Sequence, residues 1–151
     1  MRRFNVLTNV AEDGSERPGY RWRGVRGIGD RLGAEAIGAS VYELPDGELT
    51  FPYHYHHGVE EWLYVLAGSP AVRAPDGVRA LGPGALVRFP VGPAGAHAVR
   101  GPGRVVMFSA NREPSISVYP DSDKLGTRPG GNREEGLDFR RADAVDYWED
   151  E

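Results

Sequence analysis

Between residues 36 and 110 the chain alternates short apolar runs with turn residues at close, near-regular intervals. The runs cover 36–44, 49–56, 61–67, 85–89, 96–100 and 104–110, and most are rich in β-branched and aromatic residues. Turn signals punctuate this stretch at Pro45-Asp46-Gly47, Gly68-Ser69-Pro70, Pro75-Asp76-Gly77, Gly82-Pro83-Gly84, Gly92-Pro93 and Gly101-Pro102-Gly103. Proline removes a backbone donor and glycine admits positive φ, so each cluster stops a strand and reverses it. Many short strands with such spacing predict an all-β sandwich or barrel. No stretch of this core carries a 3.6-residue period, and no internal repeat is evident.

The period of two assigns faces. Along 49–56, Thr50, Pro52, His54 and His56 fall on one side, with Phe51, Tyr53 and Tyr55 on the other. Along 61–67, Glu61, Leu63 and Val65 oppose Trp62, Tyr64 and Leu66. If the histidine side lines an interior, the outward side is heavily aromatic (Phe51, Tyr53, Tyr55, Trp62 and Tyr64) and needs a cover. A second copy, hence a homodimer, or the chain's own terminal arms would supply it.

Composition narrows the class. At 151 residues, 40% apolar and 26% charged, the chain suits one soluble globular domain with a real core. A net charge of −4 gives no reason to expect a nucleic-acid or anionic-membrane partner. No run reaches the length of a membrane span, and the basic start lacks an apolar signal region, so cytoplasmic residence is expected. Cysteine is absent, which excludes disulfides and thiolate metal sites; a bound metal would need nitrogen and oxygen ligands.

The ends differ from the core. Arg21, Arg23, Arg26 and Arg31 cluster around Trp22. An anion patch is one reading, and solvated arginines paired to carboxylates the favoured one. Residues 119–151 read as loop-like and end acidic, and Asp121-Ser122-Asp123 lacks the ligand spacing of a calcium loop and reads as a turn. The expected organisation is an N-terminal arm over 1–35, a barrel over 36–118 and a C-terminal extension over 119–151.

The chemistry concentrates in His54, His56, Glu61 and His97. Two imidazoles at i and i+2 on one strand face, a carboxylate entering the next strand and a third imidazole make a plausible ligand set for a divalent metal. His57 follows His56 directly and faces away, which leaves it a structural or supporting role. Glu60 competes with Glu61, because the loop at Gly58 breaks the alternation.

Gly47, six residues, His54-x-His56, four residues, Glu61, six residues and Gly68 form the first of two motifs. Gly84, five residues, Pro90-Val91-Gly92, four residues and His97 form the second. Together they resemble the two-motif signature of the cupin superfamily. They depart from it by one extra residue after Gly47, two extra residues between Gly92 and His97, and Gly101 where asparagine is usual. The resemblance implies a single cupin barrel (a double-stranded β-helix, or jelly roll) with the terminal arms packed outside. It also implies His54, His56, Glu61 and His97 as metal ligands.

Three imidazoles and a carboxylate suit Fe(II), Mn(II), Ni(II) or Zn(II). The expected partner is a small polar substrate or ligand. Two functions stay open: a dioxygenase, isomerase, lyase or decarboxylase type of enzyme, or a non-catalytic binding or sensing protein, since this fold hosts many chemistries. No nucleophile or acid–base constellation is identifiable from sequence. Tyr42, Phe89, Met107, Phe108, Arg73 and Arg88 are possible pocket groups whose facing the register alone decides.

Overall fold

Gly68 and Gly103 show why the turn clusters are glycine-rich. Gly68 has a φ of +83°, and a Cβ built on it would lie 2.6 Å from the Gly103 Cα. Two strands can meet this closely only without side chains. The computed structural model describes residues 1–8, 11–110, 114–129 and 135–150. Among these residues, thirteen strands and one short α-helix run in the order β1 (Asp13–Ser15), β2 (Trp22–Val25), α1 (Ile28–Leu32), β3 (Ile37–Leu44), β4 (Tyr55–His57), β5 (Glu61–Gly68), β6 (Ala71–Ala74), β7 (Gly77–Ala80), β8 (Leu86–Phe89), β9 (Ala98–Arg100), β10 (Gly103–Ala110), β11 (Ser115–Tyr119), β12 (Lys124–Arg128) and β13 (Leu137–Arg140).

All pairings among the named strands are antiparallel. A six-stranded sheet has the order β1-β2-β3-β10-β5-β8, a four-stranded sheet β13-β12-β11-β4, and a three-stranded sheet β7-β6-β9. Isolated bridges from Leu49 to Arg100 and from His54 to His97 stitch the two smaller sheets together opposite the large one. The result is an all-β jelly-roll barrel: the turn spacing predicts the all-β class, and the resemblance of the two motifs implies the jelly roll.

The core fills the space between these layers. Tyr42, Leu44, Leu63, Val65, Val105 and Met107 of the large sheet meet Val72 and Val99 of the small one. Leu63, Val65, Val99 and Val105 are completely buried, each contributing about 1.5–3 kcal/mol of transfer free energy. The alternation in β5 holds as predicted: Leu63 and Val65 face in, Trp62 and Tyr64 out.

The terminal segments contain more strand than their composition suggests. Trp22 of β2 is buried in the main core, edge-on to Tyr42 with ring centroids 5.0 Å apart. A second cluster of Val25, Ile28, Val41 and Val106 lies behind the large sheet, with Phe4 and Val6 packed against it. Thus α1 and the first residues cover part of the sheet's outer face. The stretch beginning at 119, expected to be loop-like, instead supplies β12 and β13, which widen the four-stranded sheet. Short polar strands carry too weak an alternation to read without their partners. The same holds for β6 and β7, a hairpin about Pro75 and Asp76 to which the sequence assigned no strand.

The run at 49–56 is a strand only at its ends. Leu49 lies opposite Arg100 and His54 opposite His97, so five steps on one side match three on the other. The surplus forms a bulge at residues 50–53. Strict alternation therefore fails there. Phe51 is not part of an outward aromatic set: it packs inward on Trp22 and Tyr42, with centroids at 6.2 and 5.6 Å.

Candidate metal centre

The bulge ends where the site begins. His54 exchanges both backbone hydrogen bonds with His97, at 3.1 and 2.8 Å, which sets the two rings side by side with centroids 4.8 Å apart. His56 follows on β4, again with its ring centroid 4.8 Å from that of His54. Glu61 opens β5 on the inward face. The two extra residues before His97 are absorbed by a 3-10 turn at Pro93–Gly95. That turn requires glycine at its end, since a Cβ on Gly95 would sit 1.8 Å from the Pro90 carbonyl oxygen. All four sequence-predicted residues are brought together.

The orientation of each ring is fixed from behind. His54 Nδ1 lies 2.8 Å from the Pro52 carbonyl oxygen, and His97 Nδ1 lies 2.9 Å from that of Gly95. A carbonyl can only accept, so these nitrogens carry the protons and leave Nε2 of both rings with a lone pair. His56 Nδ1 lies 3.0 Å from the Ser117 hydroxyl on β11. Phe89 stacks flat on His97 at 3.7 Å, and Tyr119 stacks on His54 at 5.9 Å.

The three Nε2 atoms converge on one carboxylate oxygen. Glu61 Oε2 is 3.2 Å from His56 Nε2, 3.4 Å from His97 Nε2 and 3.9 Å from His54 Nε2. Yet Glu61 Oε2 and His97 Nε2 are buried without a hydrogen bond of acceptable geometry among the described residues. Lone pairs facing one another in a buried site are costly unless a cation lies between them.

A proton is a poor candidate for that cation. Burial, reinforced by repulsion from His97 and His56, depresses the His54 pKa to about 4. Burial lowers that of His97 as well. For Glu61, burial pushes the pKa upward, but the close approach of His56 Nε2 at 3.2 Å and the field of the three imidazoles outweigh it and hold the carboxyl below its usual range. His54, His56 and Glu61 offer one ligand atom each, all within 4.8 Å of one another, so this group can hold a metal ion. The donor set and its unsatisfied atoms fit a divalent metal.

A cavity of about 400 Å³ opens beside this group. Tyr42 and Met107 line it, as do Ser117, Tyr119, Asp30 and Arg128. Burial raises the phenol pKa of both Tyr42 and Tyr119. Sequence reasoning missed Ser117, Tyr119 and Arg128, although Ser115, Ser117 and Tyr119 alternate along β11. Small hydroxyls alternating with β-branched residues read equally well as a strand facing solvent, which hid the signal.

The remaining sequence candidates fall outside the site. Arg88 bonds Glu60 at 2.7 Å on the outer face, where Glu60 also accepts from Trp62 Nε1. That separates Glu60 from Glu61. Arg73 pairs with Asp121 and lies over the Tyr53 ring. His57 is exposed, its ring edge-on to Tyr55. Arg21, Arg23, Arg26 and Arg31 each pair with a carboxylate, Glu48, Glu16, Asp13 and Glu12 respectively. The arginine cluster is therefore the paired arm that its bland reading expects.

Comparison with known proteins agrees with this architecture. Residues 40–111 match the family model described as the cupin domain. No curated protein matches the sequence. Among solved structures, a sugar phosphate isomerase of the cupin superfamily from Silicibacter pomeroyi is similar with a TM-score of 0.78, at 19% identity, covering 95% of each chain. A protein described with less certainty as a sugar phosphate isomerase, from Acidithiobacillus ferrooxidans, reaches 0.75 at 24% identity, covering 92% of this chain and 88% of that one. A polyketide cyclase from Streptomyces resistomycificus reaches 0.57 at 26% identity, covering 76% and 83%. No described helix is long and apolar enough to cross a membrane. Residues 40–111 thus match the cupin domain, and the jelly-roll barrel built around them is a fold that these solved structures share.

Proposed function

We propose that the protein holds one divalent transition metal through His54, His56, Glu61 and His97 and acts there on a small polar molecule, in a reaction of the dioxygenase, isomerase, lyase or decarboxylase type. The observation that carries this reading is the convergence of three Nε2 atoms on the buried, unpartnered Glu61 Oε2. A bound divalent ion would polarise a carbonyl or carboxylate oxygen of the ligand. The chain's own part is to orient and enclose. The Pro52 and Gly95 carbonyls and the Ser117 hydroxyl lock the rings, and Phe89 keeps water from the back of His97. Tyr42 and Tyr119 supply hydroxyls along the cavity that remain protonated at neutral pH, suited to hold or hand over a proton.

A binding protein without turnover is the alternative, and Tyr42→Phe separates the two. In an enzyme it lowers kcat with metal content unchanged; in a binding protein no tested substrate is consumed at all. Elemental analysis of the purified protein tests the metal itself, with one divalent ion per chain expected. Metal-free protein whose melting temperature ignores added Fe(II), Mn(II), Ni(II) and Zn(II) would leave the four residues as polar lining of an ordinary pocket.

We also propose a homodimer. Its support is the uncovered outer patch of Trp62, Tyr64, Leu86 and Phe108, which α1 and the N-terminal residues leave exposed.

A further inference from the structure

The hairpin of β11 and β12 brings a basic group to the mouth of the same cavity. Arg128 ends β12, directly opposite Ser115, and lines the cavity with Tyr119 and Ser117. Its side chain runs beside two glycines. A Cβ on Gly126 would lie 3.3 Å from Arg128 Nη1, and one on Gly136 would lie 3.1 Å from it. Larger residues at either place would crowd the guanidinium.

The partners of Arg128 hold it without saturating it. Nη1 donates to the Thr127 carbonyl at 2.7 Å. Nη2 stands 3.9 Å from Asp138, beyond hydrogen-bond distance. Elsewhere Arg21, Arg31, Arg79 and Arg88 each meet a carboxylate within 3.1 Å. A guanidinium has five donors in a fixed fork, and the described contacts of Arg128 engage few of them. Its side chain is 38% exposed, accessible yet partly desolvated.

Tyr119 links this arginine to the metal centre. Its ring stacks on His54, and its hydroxyl interacts with Ser117 and Arg128. Among the described lining residues, Arg128 is the only arginine or lysine. The lining carboxylates are Glu61, engaged by the histidines, and Asp30 on α1, an element that packs on β3 of the other sheet. Positive charge is thus placed at the β12 side of the cavity.

The geometry points to Arg128, with the Tyr119 hydroxyl beside it, as the group that takes the anionic end of the ligand, a carboxylate or a phosphate. A planar fork meets either oxyanion with two parallel hydrogen bonds, which lysine cannot reproduce. This deepens the proposed function and rests on it in one respect, that the cavity is the ligand site.

The test is calorimetric titration of inorganic phosphate and, separately, of acetate into metal-free and Ni(II)-loaded protein. Wild type is expected to bind at least one anion, and the preferred one tells phosphate from carboxylate. Arg128→Gln should weaken that binding tenfold or more in both states while Ni(II) affinity and the circular dichroism spectrum stay unchanged. Arg128→Lys should recover part of the phosphate affinity and little of the acetate affinity. If Arg128→Gln is poorly folded, the same comparison runs on Arg128→Lys and Tyr119→Phe, each expected to lose threefold or more in acetate affinity. Wild type that binds neither anion, or variants that bind as tightly as wild type, overturn the assignment. Metal that fails to bind while the anion still depends on Arg128 sinks the metal reading alone.

Discussion

Glu60 and Glu61 are neighbours of one residue type on opposite faces of the same sheet. Outside, Glu60 meets Arg88 and the Trp62 indole in contact with solvent. Inside, Glu61 faces three imidazole nitrogens, and those of His54 and His97 have no proton to give it once their Nδ1 atoms are bonded behind. The outer carboxylate has found its counter-charge in the chain; the inner one has not. Such an exposed pair contributes about 0.2–1 kcal/mol, because water screens it and two long side chains lose freedom. An inner carboxylate without a cation is a liability that a bound metal would convert into stability. The comparison teaches that the face, not the residue type, decides whether a charge is surface decoration or part of a site.

The sharpest way to break the comparison is to remove inner ligands. His54→Ala with His56→Ala should abolish metal binding and erase the stability gap between metal-loaded and metal-free protein. That gap is about 4 kcal/mol when free metal stands a thousandfold above its dissociation constant. Denaturant melts with and without metal measure it; an undiminished gap in the double variant would remove the site from the inner face.

A smaller effect comes from the apolar part of the same face. Leu63 is fully buried, so Leu63→Ala should cost about 2–5 kcal/mol, against under 1 kcal/mol for Tyr64→Ala in the monomer. Equal losses in urea melts would mean that β5 does not separate inside from outside.

Acid should expose the inner face selectively. In metal-free protein the His54 pKa is depressed from its ordinary 6.5 to about 4, and that of His97 is lowered too. Between those values the unfolded chain binds the proton and the folded chain does not. The contribution is therefore fully present above pH 6.5 and is lost as pH falls towards 4. A loss of a few kcal/mol between pH 7 and 4, much reduced in the double histidine variant, is expected from melts across that range. A flat profile in wild type would contradict it.

The outer face offers two finer tests. Trp62→Arg should convert a dimer to a 16.5 kDa monomer in analytical ultracentrifugation without loss of metal. A wild-type mass of one chain at micromolar concentration would refute the dimer. Glu60→Gln should be the mildest change of all, under 1 kcal/mol and with metal content intact, whereas Glu61→Gln should weaken metal binding severely.

The sequence by itself determined the strands that alternate strongly and singled out the residues of the proposed metal centre. Leu63 and Val65 against Trp62 and Tyr64 could be read directly, because a period of two survives without knowledge of neighbours. His54, His56, Glu61 and His97 stood out because their spacing is unusual and their chemistry narrow. Between Glu60 and Glu61 alternation alone could not choose, since a loop at Gly58 resets it; the six-residue spacing to Gly68 favoured Glu61, and the entry of β5 into the sheet turns Glu61 inward. Only the tertiary structure turned Phe51 inward, through a bulge that exists because one strand has two more residues than its partner. It alone placed Trp22 in the core and brought Tyr119, Ser117 and Arg128 to the cavity, some 60 to 75 residues from His54 along the chain. Local pattern fixes which face a side chain takes within a strand; which strands meet is set by contacts that no local window contains.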